Sequence, residues 1–337
     1  MKSNIKALLA AAGLTAFAFS PAVAYEGPAW QTKPGIFIGS SAGVPPPGIY
    51  MFDQFFTYQS NYSGPGVNSA LGGNSHVGVQ AAVDIQGFLF VPGWTFLGAT
   101  YDAVIVQPFE MASYGQPVNL QLSGVHNTYI VPVELSWKLG TSGFAVKAGL
   151  GIYTPDGTVQ GINGLGNVGA KWWTFQPEVI VSYLANGFNL SAAIYEEFNT
   201  RNQVDDYQTG NIFHADFTAT KTIGKWTFGP VAYYVGQVSN DSCSSLKCLG
   251  INPLGTLVNA QRFNLWAVGG LLEYNFGPAS LSVWATQEVS ATAKGAVPLG
   301  GTPGDPALIT QGMTVLATIS YRLWAPEEPA KAPMFHK

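Results

Sequence analysis

A chain of 337 residues is long enough for one large domain or two ordinary ones. Only 10% of it is charged, against roughly 25% in an ordinary soluble protein, while glycine (40 residues) and aromatics (13%) are abundant, so charge cannot cover a large surface. A formal net charge of -4 leaves no basic footprint, which excludes nucleic acid as a partner.

Residues 1–24 have the layout of a secretory signal peptide: Lys2 and Lys6, an apolar run from Ala7 to Phe19, and Ala22-Val23-Ala24 ahead of Tyr25. The run falls short of the about 20 apolar residues of a spanning helix, so cleavage near Ala24 is expected rather than a retained anchor. No later stretch reaches that length, and the mature chain is then either exported and soluble or a barrel.

Residues 25–47 are rich in Gly and Pro and end in Val44-Pro45-Pro46-Pro47-Gly48, which can donate little to a sheet ladder. They form a periplasmic lead-in, and Gly35 to Gly48 is placed to enter a lumen as a plug. Twelve strands are expected beyond it, at about 48–60, 75–90, 94–108, 124–139, 143–154, 170–184, 188–199, 209–222, 225–238, 260–274, 279–290 and 310–323. Short connections with turn chemistry, such as Val91-Pro92-Gly93 and Ala185-Asn186-Gly187, alternate with long ones at about 61–74, 109–123, 155–169, 200–208, 239–259 and 291–309. Short periplasmic turns and long outer loops, on an even number of strands, give that rhythm in a bacterial barrel.

The period within strands agrees. From Lys171 to Tyr183, Trp173, Phe175, Pro177, Val179, Val181 and Tyr183 share one face, and Thr174, Gln176, Glu178 and Ser182 the other. Similar alternation places Val77, Val79, Ala81, Val83 and Ile85 opposite Gln80, Asp84 and Gln86. It also places Tyr129, Val131, Val133, Leu135 and Trp137 opposite Glu134 and Ser136. Charges at mid-strand need a wet or paired lumen, so the apolar faces are assigned to lipid. In 225–238 and 260–274 both faces are apolar, and Trp266 and Glu273 fall on unexpected sides; a bulge or a shifted boundary would account for this.

The order of short motifs resembles a known family, the meta-pathway phenol degradation proteins or SphA-like outer-membrane transporters. The resemblance rests on Pro45-Pro46-Pro47-Gly48-Ile49-Tyr50, on Asn167-Val168-Gly169 followed by Trp172-Trp173 and Pro177, and on Asn199 and Asn202 leading into Tyr207-Gln208-Thr209-Gly210. Gly229-Pro230 with Tyr233-Tyr234-Val235-Gly236-Gln237 ahead of Asp241 continues it. It implies a barrel of about twelve strands that passes hydrophobic or aromatic compounds, and it brings no catalytic motif.

Seven ionisable residues are assigned to the lumen face: Asp84, Glu134, Lys147, Glu178, His214, Asp216 and Arg262. They make either a polar constriction that sets selectivity or a salt-bridge lattice that fills a narrow barrel, and Lys147 and Glu134, joined by a tight turn, are placed to pair. Pro132, Pro177 and Pro230 interrupt strands and require a bulge or a gap, the latter a sideways exit into lipid. Cys243 and Cys248 in a long outer loop suit a small disulfide. A barrel lipid hydrolase would need a His beside a Ser; His214 with Asp216 comes nearest, without a G-x-S-x-G elbow. Residues 325–337 form a Pro-rich periplasmic tail.

The sequence thus predicts an all-β fold: a transmembrane antiparallel β-barrel of about 12 strands, outer-membrane type, spanning 48–324. Its expected role is to pass a hydrophobic or aromatic small molecule by passive diffusion; a structural barrel is the alternative, and a barrel enzyme a more remote one. Its expected partners are outer-membrane lipid, the solute and the barrel-assembly machinery. The sequence carries no ATP, metal, redox or other cofactor motif.

Overall fold

A computed structural model describes residues 30–62, 77–115, 119–159, 167–204, 206–242, 245, 246, 248, 262–294 and 310–326. The signal segment, Cys243 and the tail beyond residue 326 lie outside the described residues. The strands are β1 (Gly48–Tyr62), β2 (Val77–Val91), β3 (Thr95–Phe96), β4 (Ala99–Tyr114), β5 (Leu120–Val125), β6 (Tyr129–Lys138), β7 (Phe144–Tyr153), β8 (Thr174–Ala185), β9 (Phe188–Asn199), β10 (Ile212–Ile223), β11 (Trp226–Gln237), β12 (Arg262–Asn275), β13 (Ala279–Lys294) and β14 (Thr310–Trp324). Twelve of them close an antiparallel ring: β1 pairs with β2, β2 with β4, β4 with β6, each strand from β6 to β13 with the next, and β14 with β1. A closed ring leaves no strand of the wall with a free edge, which is what a lipid surrounding demands of a backbone.

The tight connections gather at one end. Asn186 and Gly187, with φ of 52° and 75°, supply the two left-handed residues that a two-residue hairpin turn requires between β8 and β9. Exposed Trp94, Trp226, Phe276 and Trp324 cluster near these turns, as interfacial aromatics do. At the opposite end the stretch 109–123, expected as a loop, is instead the upper part of β4 paired with β5, Phe109 to Tyr114 against Leu120 to Val125. Inward Ala112 and Leu122 pack there on Val168, so this hairpin continues the wall beyond the neighbouring strands.

In β8 the two faces separate cleanly: Phe175, Val179 and Val181 are 41–42% exposed, whereas Thr174 and Gln176 are fully buried and Glu178 nearly so. Two other strands have a different phase from that expected. In β2 the apolar residues Val79, Val83 and Ile85 point inward, which turns Gln80, Asp84 and Gln86 outward; the interior is itself apolar on this side. In β6 a register shift between Ile130 and Glu134, at Pro132, turns Tyr129 and Val131 inward while Val133 faces out. The two strands with two apolar faces follow the same logic. Val231, Tyr233, Val235, Phe263, Leu265 and Leu271 fill the interior, and Trp266 lies outside.

Candidate functional site: the barrel interior

The interior has a polar side on β6 to β10, joined by Asp102 of β4, and a mostly apolar side on β1, β2, the rest of β4 and β11 to β13, and residues 30–47 run between them. Amides of Ile36, Ile38 and Ser40 close three successive turns on the carbonyls of Lys33, Gly35 and Phe37. The intervening amides point at the wall: Gly35 and Phe37 donate to the Asp216 carboxylate at 3.1 and 3.0 Å, and Gly39 to Thr218 Oγ1 at 2.9 Å. Glu197 receives the Gln31 and Thr32 amides at 2.9 and 2.8 Å, and Ser182 Oγ the Ala42 amide at 2.8 Å. At Gly35, with φ of 85°, a Cβ would come within 2.8 Å of the Tyr233 ring, so both conformation and space require glycine there. The segment thus climbs from Pro47 at the tight-turn mouth to Trp30, whose ring meets Phe263 edge-on at 5.7 Å.

Two charged clusters lie on the polar side. Lys147 Nζ stands 3.2 Å from Asp102 and 3.3 Å from Glu134, with all three side chains nearly or fully buried. Glu178 accepts from Tyr129 Oη at 2.9 Å and from Gln176 Nε2 at 3.2 Å. Higher up, His214 Nε2 pairs with Glu197 at 3.0 Å and its ring stacks on Tyr195, whose hydroxyl donates to Asp216 at 3.1 Å. Glu134, Lys147, Glu178, His214 and Asp216 are thus all interior groups. Asp84 is not: it sits on the outward face of β2 beside Gln86, because the apolar residues of that strand take the inside. Arg262 is exposed where β12 begins and donates to Asn240 Oδ1 at 2.7 Å, a rim position that leaves it outside the lumen.

Asp102 and Glu197 complete these clusters, Glu288 and Lys33 lie on the apolar side, and none of the four was singled out from the sequence. Adjacent glutamates at 196 and 197 hide the phase of β9, and the register shift between Trp266 and Ala267, opposite Glu288 and Ser290, hides that of β13. Pro132 lies in the β6 bulge. Pro177 and Pro230 keep register with Leu150 and Gly270, and a short unpaired stretch faces each on the other side. Cys248 is buried and disulfide-bonded.

Beside the threaded segment runs a cavity of about 820 Å³, lined by Phe52, Phe56, Val83, Ile85, Val106 and Ala112 among other side chains. Its walls are mostly apolar, it reaches up to Tyr114 and Leu122, and on one side it meets the charged Glu134, Lys147 and Glu178. This volume suits a drug-sized or smaller apolar ligand.

At the end opposite the tight turns, the loop carboxylates are well bonded. Asp156 accepts from the Thr128 amide and hydroxyl and from Thr154, which hold its carboxyl below the usual range although burial alone would raise it. Asp241, buried under Tyr207, Gly210 and Gln237, is pushed up to about 6 by loss of solvent.

A closed antiparallel ring of twelve strands, with an apolar outer band and a charged, filled interior, defines an outer-membrane-type β-barrel protein. The sequence matches the family model described as Putative MetA-pathway of phenol degradation over residues 52–296, and the chain belongs to that family. Among solved structures it is similar to the COG4313 outer membrane channel from Pseudomonas putida F1, at 12% identity and a TM-score of 0.65, covering 86% of this chain and 99% of that one. The autotransporter NalP translocator domain from Neisseria meningitidis aligns at 9% identity and a TM-score of 0.44, covering 83% and 90%. No curated protein matches the sequence.

Proposed function

We propose that the chain is an outer-membrane channel that passes hydrophobic or aromatic small molecules by passive diffusion, with residues 30–47 as its plug. The observation that carries this reading is the apolar cavity between that segment and the inward faces of β1, β2 and β4. Apolar side chains lining a lumen are costly in contact with water and are compensated when an apolar solute displaces that water. Membership of a family named for phenol degradation, and the similarity to an outer membrane channel, point the same way. Flux follows the solute gradient. A lipid hydrolase is disfavoured because neither ring nitrogen of His214 bonds a serine hydroxyl among the described residues: Nε2 faces Glu197 and Nδ1 is unpartnered.

The test is uptake of a monoaromatic hydrocarbon into proteoliposomes. Ala112→Trp fills the cavity from β4 and should cut flux at least tenfold, whereas Val315→Trp, on the outward face of β14, should not change it. Equal flux through both variants, or none through the wild type, refutes the apolar passage and leaves a structural barrel.

A further inference from the structure

Lys33 carries a positive charge from the threaded segment into the apolar side of the barrel. Its Nζ lies over three ring faces, 5.7 Å from the centroid of Phe56, 5.0 Å from that of Tyr58 and 5.4 Å from that of Tyr233. Phe56 and Tyr58 come from β1 and Tyr233 from β11, so rings from separate parts of the wall converge on one point. Among the described residues this ammonium has neither a hydrogen bond nor an ion pair.

Glu288 stands behind the rings and is already bonded through both oxygens. Tyr233 Oη donates to Oε1 at 2.8 Å, and Tyr58 Oη and the Gly312 amide donate to Oε2 at 2.9 and 2.6 Å. The carboxylate therefore fixes two of the three rings and adds negative charge to the box, with three of its lone pairs already engaged. A primary ammonium has three N–H donors to satisfy, and none of them meets an acceptor among the described residues. A tertiary or quaternary ammonium has one such donor or none, and ring faces with a nearby negative charge are what it binds. The box is thus better matched to an alkylated head group than to the lysine inside it.

We propose that Phe56, Tyr58, Tyr233 and Glu288 form a binding site for the alkylated ammonium head of a cationic small molecule, and that Lys33 is its resident occupant in this state. The apolar body of such a ligand lies in the adjoining cavity, which Lys33, Phe56 and Tyr58 also line. The site goes beyond the channel reading, since a barrel that binds without conducting would keep it.

Calorimetric titration of the full chain in nonionic detergent tests this with three probes. They are choline, its uncharged isostere 3,3-dimethyl-1-butanol, and the primary amine ethanolamine. Lys33→Ala empties the box and should bind choline at least tenfold more tightly than the wild type, and at least tenfold more tightly than it binds either other probe. Adding Tyr233→Leu or Glu288→Gln should return choline binding to the wild-type level. Lys33→Met, which keeps the box filled with an uncharged chain, should also stay at that level. The proposal is overturned if Lys33→Ala gains no affinity, if it takes the neutral isostere equally well, or if Lys33→Met gains as much. None of these outcomes depends on flux.

Discussion

Replacing Lys147 by methionine would remove the cation from a group of acids that the barrel has already taken out of water. The Lys147, Asp102 and Glu134 side chains are 9%, 0% and 6% exposed, with N–O separations of 3.2 and 3.3 Å. At an effective dielectric of about 20, each contact is worth roughly 5 kcal/mol before desolvation is charged against it. Burial cancels much of that, and removing one partner of a buried pair typically costs about 3–5 kcal/mol, because the remaining charge stays without a counter-charge. For a large chain, in which about 1 kcal/mol moves the midpoint by about 2–4 °C, the melting temperature should fall by roughly 6–20 °C. The assay is loss of the folded gel band and of β-sheet circular dichroism on heating in detergent at pH 8. The combined variant Asp102→Asn, Glu134→Gln, Lys147→Met should recover at least half of the loss, since it removes the acids left without a counter-charge. A Lys147→Met barrel that melts within about 2 °C of the wild type, less than about 1 kcal/mol, would refute the reasoning.

Three further outcomes follow from the same interior and its rim. Asp216→Ala strips the acceptor from the Gly35 and Phe37 amides, at about 1–3 kcal/mol for each group left unpaired; a cysteine placed at the buried Ile38 should then react with maleimide at least tenfold faster, and unchanged labelling would show that the segment is held elsewhere. Pro132→Val should leave both stability and aromatic flux unchanged, because the bulge is set by inward Val131 and Glu134 rather than by the proline ring; lost flux would instead argue for a sideways exit at that position. Asp156 has a folded-state pKa below its ordinary value, so its bonds to Thr128 and Thr154 stabilise their loop above about pH 4 and stop doing so as pH falls through the lowered value. Amide exchange at residues 154–159, corrected for the intrinsic pH dependence of exchange, should therefore be less protected at pH 2 than at pH 4, and Asp156→Asn should abolish that difference.

The number and order of wall strands were legible because two signals agree: alternation within strands, and short turns alternating with long connections. Asn186-Gly187 and Gly224 mark hairpins by chemistry that works locally. Phase was less legible. Alternation says that two faces differ, not which face is inside, and the usual assignment of the apolar face to lipid fails where the interior is apolar as well. That is the situation of β2, where Val83 and Ile85 line the cavity and Asp84 looks outward. The bulge at Pro132 reversed Tyr129 and Val131 for a different reason, since one inserted residue turns every side chain before it. Lys33 and Glu288 were missed because their meeting depends on a non-strand segment threading the ring, and no periodicity records that.

The threaded segment also bears on assembly. Its exit at Pro47 is continuous with β1, and β1 is half of the seam that closes the ring against β14. If the seam forms first, Trp30 and all that precedes it must be fed end-first through a narrow, charged bore. If the segment docks first, on Glu197, Asp216, Thr218 and Ser182 of β8 to β10, it lies in an open trough and the seam strand arrives already tethered beside its destination. The second order needs no threading, and it gives residues 30–47 the part of a mandrel around which the wall is wrapped.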